Sequence, residues 1–511
     1  MNVCALLLER GEPDAVAVID HAGVPLTYRA LREEVAAVAA RLQGLALEPG
    51  ARVLLVADSS RFFVAAYLGT MRAGYVAVPV APHLGAEELA VAVETVGPRV
   101  VFAQRKPWDR AGEALAGIAH RIVDVPVEKV TRGATSYAAF LAADTPRVLE
   151  ERISTGDELA ALMLTSGSTG KPRGVMLSHA NLAANTRAVA GYLGLTSADR
   201  IMAVLPLHYC YGASLLHTHL LVGGSVVIDN RFMFADKVLQ RMLATECTGF
   251  AGVPTHFQIL LRNSSMKSMT FPHLRRVQQA GGKLADPLIR ELLATTAPAE
   301  LFIMYGQTEA TARLSYLPPG ALATKLGSIG MGIPGVTLRL LDEHGAPVPT
   351  GAVGEIVAEG ASVARGYWND PEGTTRAFRN GRLYTGDLAR ADEDGYIYIV
   401  DRASDLLKCG GVRTSSLAIE TLLFEVPDVV EAVVIAIPDD LLGEAPCAFL
   451  AIRDGASHAE VEAHARRECA SRLAPELMPK AFVFEQTLPK TTSGKPSKHA
   501  LRALWLAEPK T

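Results

Sequence analysis

Thr165 to Gly174 reads TSGSTGKPRG and sets three glycines, four hydroxyls and two cations within ten residues. Glycines let successive backbone amides turn toward one point, hydroxyls add donors, and Lys171 and Arg173 add charge. The chemistry of such a stretch is the cradling of an anion such as a phosphate. It is not a Walker loop, which needs glycines five apart and then Lys with Ser or Thr; here Gly167 and Gly170 are three apart and Pro172 follows Lys171. The apolar run Leu159 to Leu164 predicts a buried strand, a second strand resumes at Gly174 to Leu177, and SHANL offers a helix start, so the cluster predicts a loop between strands. Taken alone, such a loop reads equally as a turn or linker.

Four further segments follow in order: Tyr305 to Glu309 (YGQTE), Tyr384 to Asp387 (YTGD), Asp401 to Arg413 (DRASDLLKCGGVR) and Pro489 to Lys495 (PKTTSGK). Together with the glycine loop they resemble the ANL adenylating superfamily, which comprises acyl-CoA synthetases, adenylation domains of peptide synthetases and beetle luciferases. The resemblance runs from about Leu26 to Leu504 with order and spacing intact. Stand-alone acyl-CoA ligases are the most similar group.

The resemblance implies a division of labour. Thr165, Ser166, Gly167, Ser168, Thr169, Gly170 and Lys171 would close over the β and γ phosphates of ATP, with Arg173 standing where Lys is usual. Tyr305 would stack on adenine, Gly306 follows it, Thr308 would meet the α-phosphate, and Glu309 would help hold Mg²⁺, since a carboxylate suits a hard cation that also bridges phosphates. Thr308 and Glu309 could otherwise simply start a helix. Asp387 matches a ribose-binding aspartate able to accept from two hydroxyls, and Arg402 a second ribose contact. Gly281 and Gly282 in QAGGK fall where a backbone passes beside adenine and acyl group. Lys495 matches the lysine that bridges acyl carboxylate and phosphate, and His208 in LPLHYCYG an aromatic or histidine position between nucleotide and acyl pocket, with a packed core histidine as the competing reading. His217 and His219 lack an acid or cysteine cluster and read as core histidines rather than metal ligands.

Relatives that activate α-amino acids carry an aspartate where this chain has Gly212, which points to an acid without an α-amino group; His208, Tyr211, Gly212 and Gly281 form the expected acyl pocket, and the glycine is expected to leave it roomy. Gly410, Gly411 and Arg413 match the loop that guides the pantetheine of coenzyme A, the expected acceptor, with a separate carrier protein as the alternative. Ser404 occupies the hinge position. The hinge region departs from the family in Asp401 for glycine, in Ser404 for Asp or Lys, and in Thr414-Ser415-Ser416. The expected activity is ATP- and Mg²⁺-dependent formation of an acyl-adenylate and then a thioester. The alternatives are a specialist in thiolation alone, a stand-alone adenylation enzyme loading a carrier, and a non-catalytic nucleotide-binding relative.

These residues need a scaffold. At 511 residues the chain exceeds the roughly 250–300 at which one core stops growing, so several folding units are expected. Helical spacing from Tyr28 to Leu42 with Thr27 as N-cap, then alternation of strands (Val53 to Ala57, Tyr75 to Val78, Val100 to Phe102, Arg200 to Leu205, Val226 to Ile228) with helices (Phe62 to Arg72, Asn181 to Tyr192) predicts an α/β fold of parallel sheets covered by helices. The resemblance implies two such sheets packed together. From about 310 to 400 short alternating strands predict a small β-barrel-like subdomain, and beyond it a strand, helix and strand predict a compact α+β unit. We expect an N-terminal domain over 1–401 and a mobile C-terminal domain over 402–511.

Hydrophobic residues at 49%, charged residues at 20% and a net charge of -4 are those of a globular enzyme and exclude a basic nucleic-acid footprint. The apolar stretch near the N-terminus is too short for a signal peptide and no membrane-length run follows, so a cytoplasmic protein is expected, as a monomer or homodimer. Six cysteines without a CxxC pair predict reduced, mostly buried thiols.

Overall fold

The computed structural model describes residues 1–143, 149–150, 155–166, 172–403, 405–409, 412–439, 441–490 and 496–507. Among them, a seven-stranded sheet runs in the order Thr135–Ser136, His120–Asp124, Val100–Gln104, Arg52–Val56, Val76–Val80, Leu159–Ser166 and Pro172–Ser178. All its pairings are parallel except the last, which is antiparallel and carries the glycine loop at its tip. A nine-stranded sheet has at its centre the parallel strands Glu300–Tyr305, Arg276–Gln279, Gly249–Gly252, Arg200–Ala203, Ser225–Ile228 and Val16–Ile19.

Strand alternation explains how the sheets pack. Successive side chains point to opposite faces, and Val53 and Leu55 join one core while Leu54 and Val56 join another. The first core also holds Ile201, Ala203 and Val226 from the nine-stranded sheet and side chains of the helices Tyr28–Gly44, Arg61–Arg72, His179–Tyr192 and Cys210–Leu221. The two sheets are thus packed through a shared helical layer, buried on both sides, which is why Arg61–Arg72 is apolar nearly all round. Met202, Phe250, Val277 and Leu301 face outward onto the helices Ala235–Ala244, Pro254–Arg262 and Asp286–Thr296. Thr27 caps its helix as expected, accepting from the Ala30 amide.

Val336–Leu341, Gly354–Gly360, Phe378–Arg379, Arg382–Ala391 and Ile397–Arg402 form an antiparallel five-stranded sheet. It begins later than the change of texture after Glu309 implies, because Ser315–Leu317 and Met331–Gly332 pair onto the edge of the nine-stranded sheet instead. Sheet membership changes again between Arg402 and Leu407. Leu407–Cys409, Val412–Thr414, Val429–Asp439, Gly443–Ile452 and Ala481–Phe484 build the C-terminal sheet, covered by Ser416–Leu423, His458–Arg472 and Lys498–Ala507.

All six cysteines are free and all but Cys210 are buried; burial pushes the Cys4 thiol up to about 12 and those of Cys247 and Cys469 to about 11. Among the described residues no helix is long and apolar enough to cross a membrane.

Candidate active site

Three elements that are remote in sequence meet at one cavity of about 270 Å³. Strand Glu300–Tyr305 ends in Tyr305 and Gly306, the turn after Arg276–Gln279 supplies Gly281 and Gly282, and the antiparallel sheet supplies Asp387 and Arg402. Gly281 sits at φ 88°, a left-handed conformation that favours glycine, and Gln279 Nε2 donates to the Gly282 carbonyl at 2.7 Å, fixing the turn. A side chain at Gly306 would meet the Ala312 carbonyl oxygen at 2.0 Å, so the strand end and the following loop can touch only through glycine.

Asp387 is 5% exposed and holds its neighbours in place. The Tyr305 hydroxyl donates to Oδ2 at 2.6 Å and Arg402 Nε donates to Oδ1 at 2.9 Å. Residues 387 and 402 stand opposite each other on paired strands, so the ladder delivers the ion pair. Burial and then the Asp387 carboxylate push the Tyr305 phenol well above its ordinary value, and the same carboxylate raises Arg402. An ionised carboxylate has about four acceptor sites. With two engaged, Asp387 keeps capacity for a pair of hydroxyls, and the flat Tyr305 ring with the bare Gly281–Gly282 backbone leaves room for a planar base.

Thr308–Ala310 is a single 3₁₀ turn. The Thr308 hydroxyl lies 3.3 Å from Cys210 Sγ, and the Tyr367 hydroxyl donates to Glu309 Oε1 at 2.9 Å. The chain then turns sharply: Thr311 has φ 72°, the Ala312 amide donates to the Ala310 carbonyl, and the Thr311 hydroxyl donates to the Ser362 carbonyl at 2.7 Å. A β-branched residue in that conformation is strained by about 1–3 kcal/mol. Arg173 pairs with Asp370 at 3.3 Å and lies over the Tyr367 ring at 5.2 Å. Among the described residues no three His, Cys, Asp or Glu gather as a metal site. Glu309 fits Mg²⁺ only in the manner usual for that ion, through one carboxylate with phosphates and water.

His208 is buried against Tyr209, ring centroids 4.3 Å apart, and neither ring nitrogen has a hydrogen-bond partner among the described residues. Burial, then His83, pushes its pKa down to about 3, so the ring is neutral at physiological pH. It lines a second cavity of about 230 Å³ with Leu164, Thr165 and Pro172, which puts it beside the ends of the strands that carry the glycine loop. The Thr165 hydroxyl reaches back to the Arg173 carbonyl at 3.5 Å. His217, stacked on Tyr67, and His219, bonded to the Leu215 carbonyl, are core residues of their helix, as expected.

The expectation that Gly212 leaves a pocket roomy needs a different reason. Its missing side chain would meet the Pro206 carbonyl oxygen at 2.1 Å, so glycine is required by the approach of the helix Cys210–Leu221 to that backbone. Tyr211, one residue earlier, donates to the Gln278 carbonyl at 2.9 Å. Gly167, Ser168, Thr169, Gly170, Lys171, Ser404, Gly410, Gly411 and Lys495 lie outside the described residues, and Ser166 and Arg413 are described in their backbone alone.

Sequence reasoning missed three participants. Tyr367 lies in a segment whose backbone pairs with the strand Pro172–Ser178, and the run GYWND with two aromatics between glycine and acid could have marked it. Lys498 lines the first cavity, donates to Ser416 Oγ at 2.6 Å and pairs with Glu420 at 3.2 Å; it stands three residues after Lys495. Arg313 is the third. The hinge departures prove complementary: the Asp401 carboxylate accepts from Ser416 Oγ at 3.0 Å and from the Leu417 amide at 3.3 Å, while Ser415 donates to the Val400 carbonyl at 2.7 Å.

Residues 9–368 match the family described as AMP-binding enzyme, and residues 418–495 match the AMP-binding enzyme C-terminal domain. A feruloyl-CoA synthase of Amycolatopsis sp is 32% identical, covering 96% of each chain, and a medium-chain fatty-acid–CoA ligase of Escherichia coli (strain K12) is 30% identical, covering 96% of this chain and 88% of its own. The solved structure of ATP-bound MatB from Rhodopseudomonas palustris superposes with a TM-score of 0.88 at 29% identity over 99% of both chains. The chain therefore belongs to the AMP-binding enzyme family within the ANL superfamily, as an AMP-forming ligase of the acyl-CoA synthetase type.

Proposed function

We propose that this enzyme activates a carboxylic acid lacking an α-amino group as its acyl-adenylate and transfers the acyl group to coenzyme A. The observation that carries the reading is the junction of Tyr305, Asp387 and Arg402 against the Gly281–Gly282 turn, which fits an adenosine in base and diol. In adenylation a carboxylate oxygen attacks the α-phosphorus and pyrophosphate leaves. The protein must neutralise phosphate charge and hold the attack in line. The loop from Thr165 to Lys171 takes the β and γ phosphates. Thr308, steadied by Cys210, takes the α-phosphate, and Glu309, steadied by Tyr367, would help hold Mg²⁺, which would supply neutralisation of phosphate charge. Neutral His208 contacts the acyl carboxylate through its single ring N–H, and Lys495 bridges carboxylate and phosphate. Gly410, Gly411 and Arg413 then guide the thiol after the C-terminal domain turns about Ser404.

Relatives named for ferulate, medium-chain fatty acids and oxalate differ too widely to give the acid. A panel of carboxylic acids assayed separately for pyrophosphate exchange and for CoA thioester tests the reading. Exchange and thioester with the same acid are expected; neither with any acid overturns it. Lys495→Ala should slow adenylation by about 10²–10³ while thiolation of supplied adenylate persists, as for loss of one oriented charge contact. Equal loss in both steps would make Lys495 structural.

A further inference from the structure

The layer between the nine-stranded sheet and its helices contains a charge that no carboxylate answers among the described residues. Gln278, Ala280, Phe302 and Met304 occupy alternate strand positions, and Ala280, Phe302 and Met304 form one cluster with Val189 and Leu193, against which Tyr192, Tyr211 and Tyr316 pack. Among these apolar and aromatic groups lies Arg313, 1% exposed. Its guanidinium carbon stands 3.8 Å from the centroid of the Tyr211 ring. The neutral hydroxyls of Tyr192 and Tyr211 hydrogen-bond with the guanidinium, but Nε and Nη2 have no hydrogen-bond partner among the described residues, and no carboxylate there pairs with it. The buried side-chain oxygen of Gln278 is likewise unpartnered.

A buried guanidinium without an acid is costly, and an apolar residue of similar volume would serve packing better. The backbone is firmly held, since Asn185 donates to the Arg313 carbonyl at 2.8 Å and the Arg313 backbone packs so closely on Gly306 that a Cβ added there would meet Arg313 Cα at 2.7 Å. Gly306 and Met304 line the nucleotide cavity, and the guanidinium lies over Tyr211, an expected acyl-pocket residue, so the charge stands directly behind the wall of that cavity on its Tyr211 side. A planar fork of donors in an aromatic cleft is the arrangement that recognises a carboxylate in two-point fashion.

We propose that Arg313 reads a second carboxylate on the acyl substrate, so that the enzyme activates a dicarboxylic acid, one carboxylate going to AMP and the other held by the guanidinium. Tyr211 covers the charge until the acid displaces its ring. This rests on the acyl-activating reading above, and the test separates the two. Matched monocarboxylates and dicarboxylates, straight-chain from three to eight carbons and benzoate against carboxybenzoates, are compared in pyrophosphate exchange with wild type, Arg313→Met and Arg313→Lys. Wild type should favour a dicarboxylate in kcat/KM by on the order of 10²-fold. Arg313→Met should abolish or invert that preference without lowering the melting temperature, and Arg313→Lys should retain part of it. Wild-type preference for monocarboxylates, or loss of all acids alike in Arg313→Met, overturns the proposal while leaving the ligase reading intact. If no acid supports exchange, the ligase reading falls. The proposal is then decided by thermal shift with ATP present, where a shift specific to dicarboxylates and lost in Arg313→Met upholds it and no selective shift overturns it.

Discussion

Asp387 shows how one carboxylate can organise a site. It binds Tyr305 and Arg402 at once, and each of those groups is placed by a different sheet. Hydrogen bonds to a charged group contribute about 1.5–3 kcal/mol, and removing the acceptor also strands a buried hydroxyl. Asp387→Ala is therefore expected to raise the KM for ATP by at least about tenfold and to lower the melting temperature, whereas Tyr305→Phe, which keeps the ring, should change the KM less. Initial rates of pyrophosphate exchange at varied ATP measure both. An unaltered ATP dependence in Asp387→Ala would remove the ribose assignment.

At the scale of elements, the helix Cys210–Leu221 ties the His208 loop to the segments beside the first cavity, since its first residue touches Thr308, just beyond Gly306, and its second touches Gln278, next to Gln279. Its seating depends on Gly212, where a methyl would meet the Pro206 carbonyl at 2.1 Å. Gly212→Ala must push the helix start off the His208 loop. We expect a loss of about 1–3 kcal/mol from overpacking, with a fall in exchange rate that accompanies the fall in melting temperature. Retained stability with a changed acid preference would show that Gly212 acts on the substrate instead.

Across the whole molecule, the junction between the domains is a polar lattice. Asp401 from the antiparallel sheet bonds Ser416, Ser416 bonds Lys498, and Lys498 pairs with Glu420 at 3.2 Å and Asp405 at 3.6 Å. Burial raises the Glu420 carboxyl, with Lys498 acting against it. Lys498→Met should cost about 1–3 kcal/mol, less than a fully buried pair because Lys498 is 21% exposed, and should speed proteolysis between Arg402 and Leu407. ATP with substrate should change the wild-type cleavage rate, and identical digestion of both proteins under all conditions would exclude a mobile joint. Burial also sets the acid tolerance of the fold. It pushes His179, His217, His219 and His256 down to about 4, and His208 to about 3, from 6.5. Below about pH 6.5 the unfolded chain takes up protons that the native chain refuses, so stability falls as pH drops from about 6.5 toward 4, each histidine costing up to about 1.4 kcal/mol per pH unit. Melting curves from pH 7.5 to 5 should show a steep decline that His217→Leu makes shallower; a flat profile would mean that these rings are not held neutral.

The sequence by itself determined what depends on local order. Apolar runs and turn residues marked Val336–Leu341 at its observed bounds and most other strands within a few residues, and the motifs YGQTE, YTGD and DRASDLLKCGGVR named Tyr305, Asp387 and Arg402 because each lies in a short recognisable run. Only the tertiary structure decided who faces whom. That the antiparallel sheet starts at Val336 follows from edge pairing of Ser315–Leu317, which strand composition does not encode. Gly212 looked like an open place because glycine has no side chain; only the folded turn brings the Pro206 carbonyl, just upstream in the same LPLHYCYG run, back onto it. Asp401 and Ser416 each looked like a departure, and their hydrogen bond makes them one feature. Arg313, inside the ordinary-looking run ATARLSY, acquires meaning only when the fold surrounds it with Tyr192, Tyr211 and Tyr316 and, among the described residues, supplies no acid, because burial and pairing are properties of the packed layer and not of the residue.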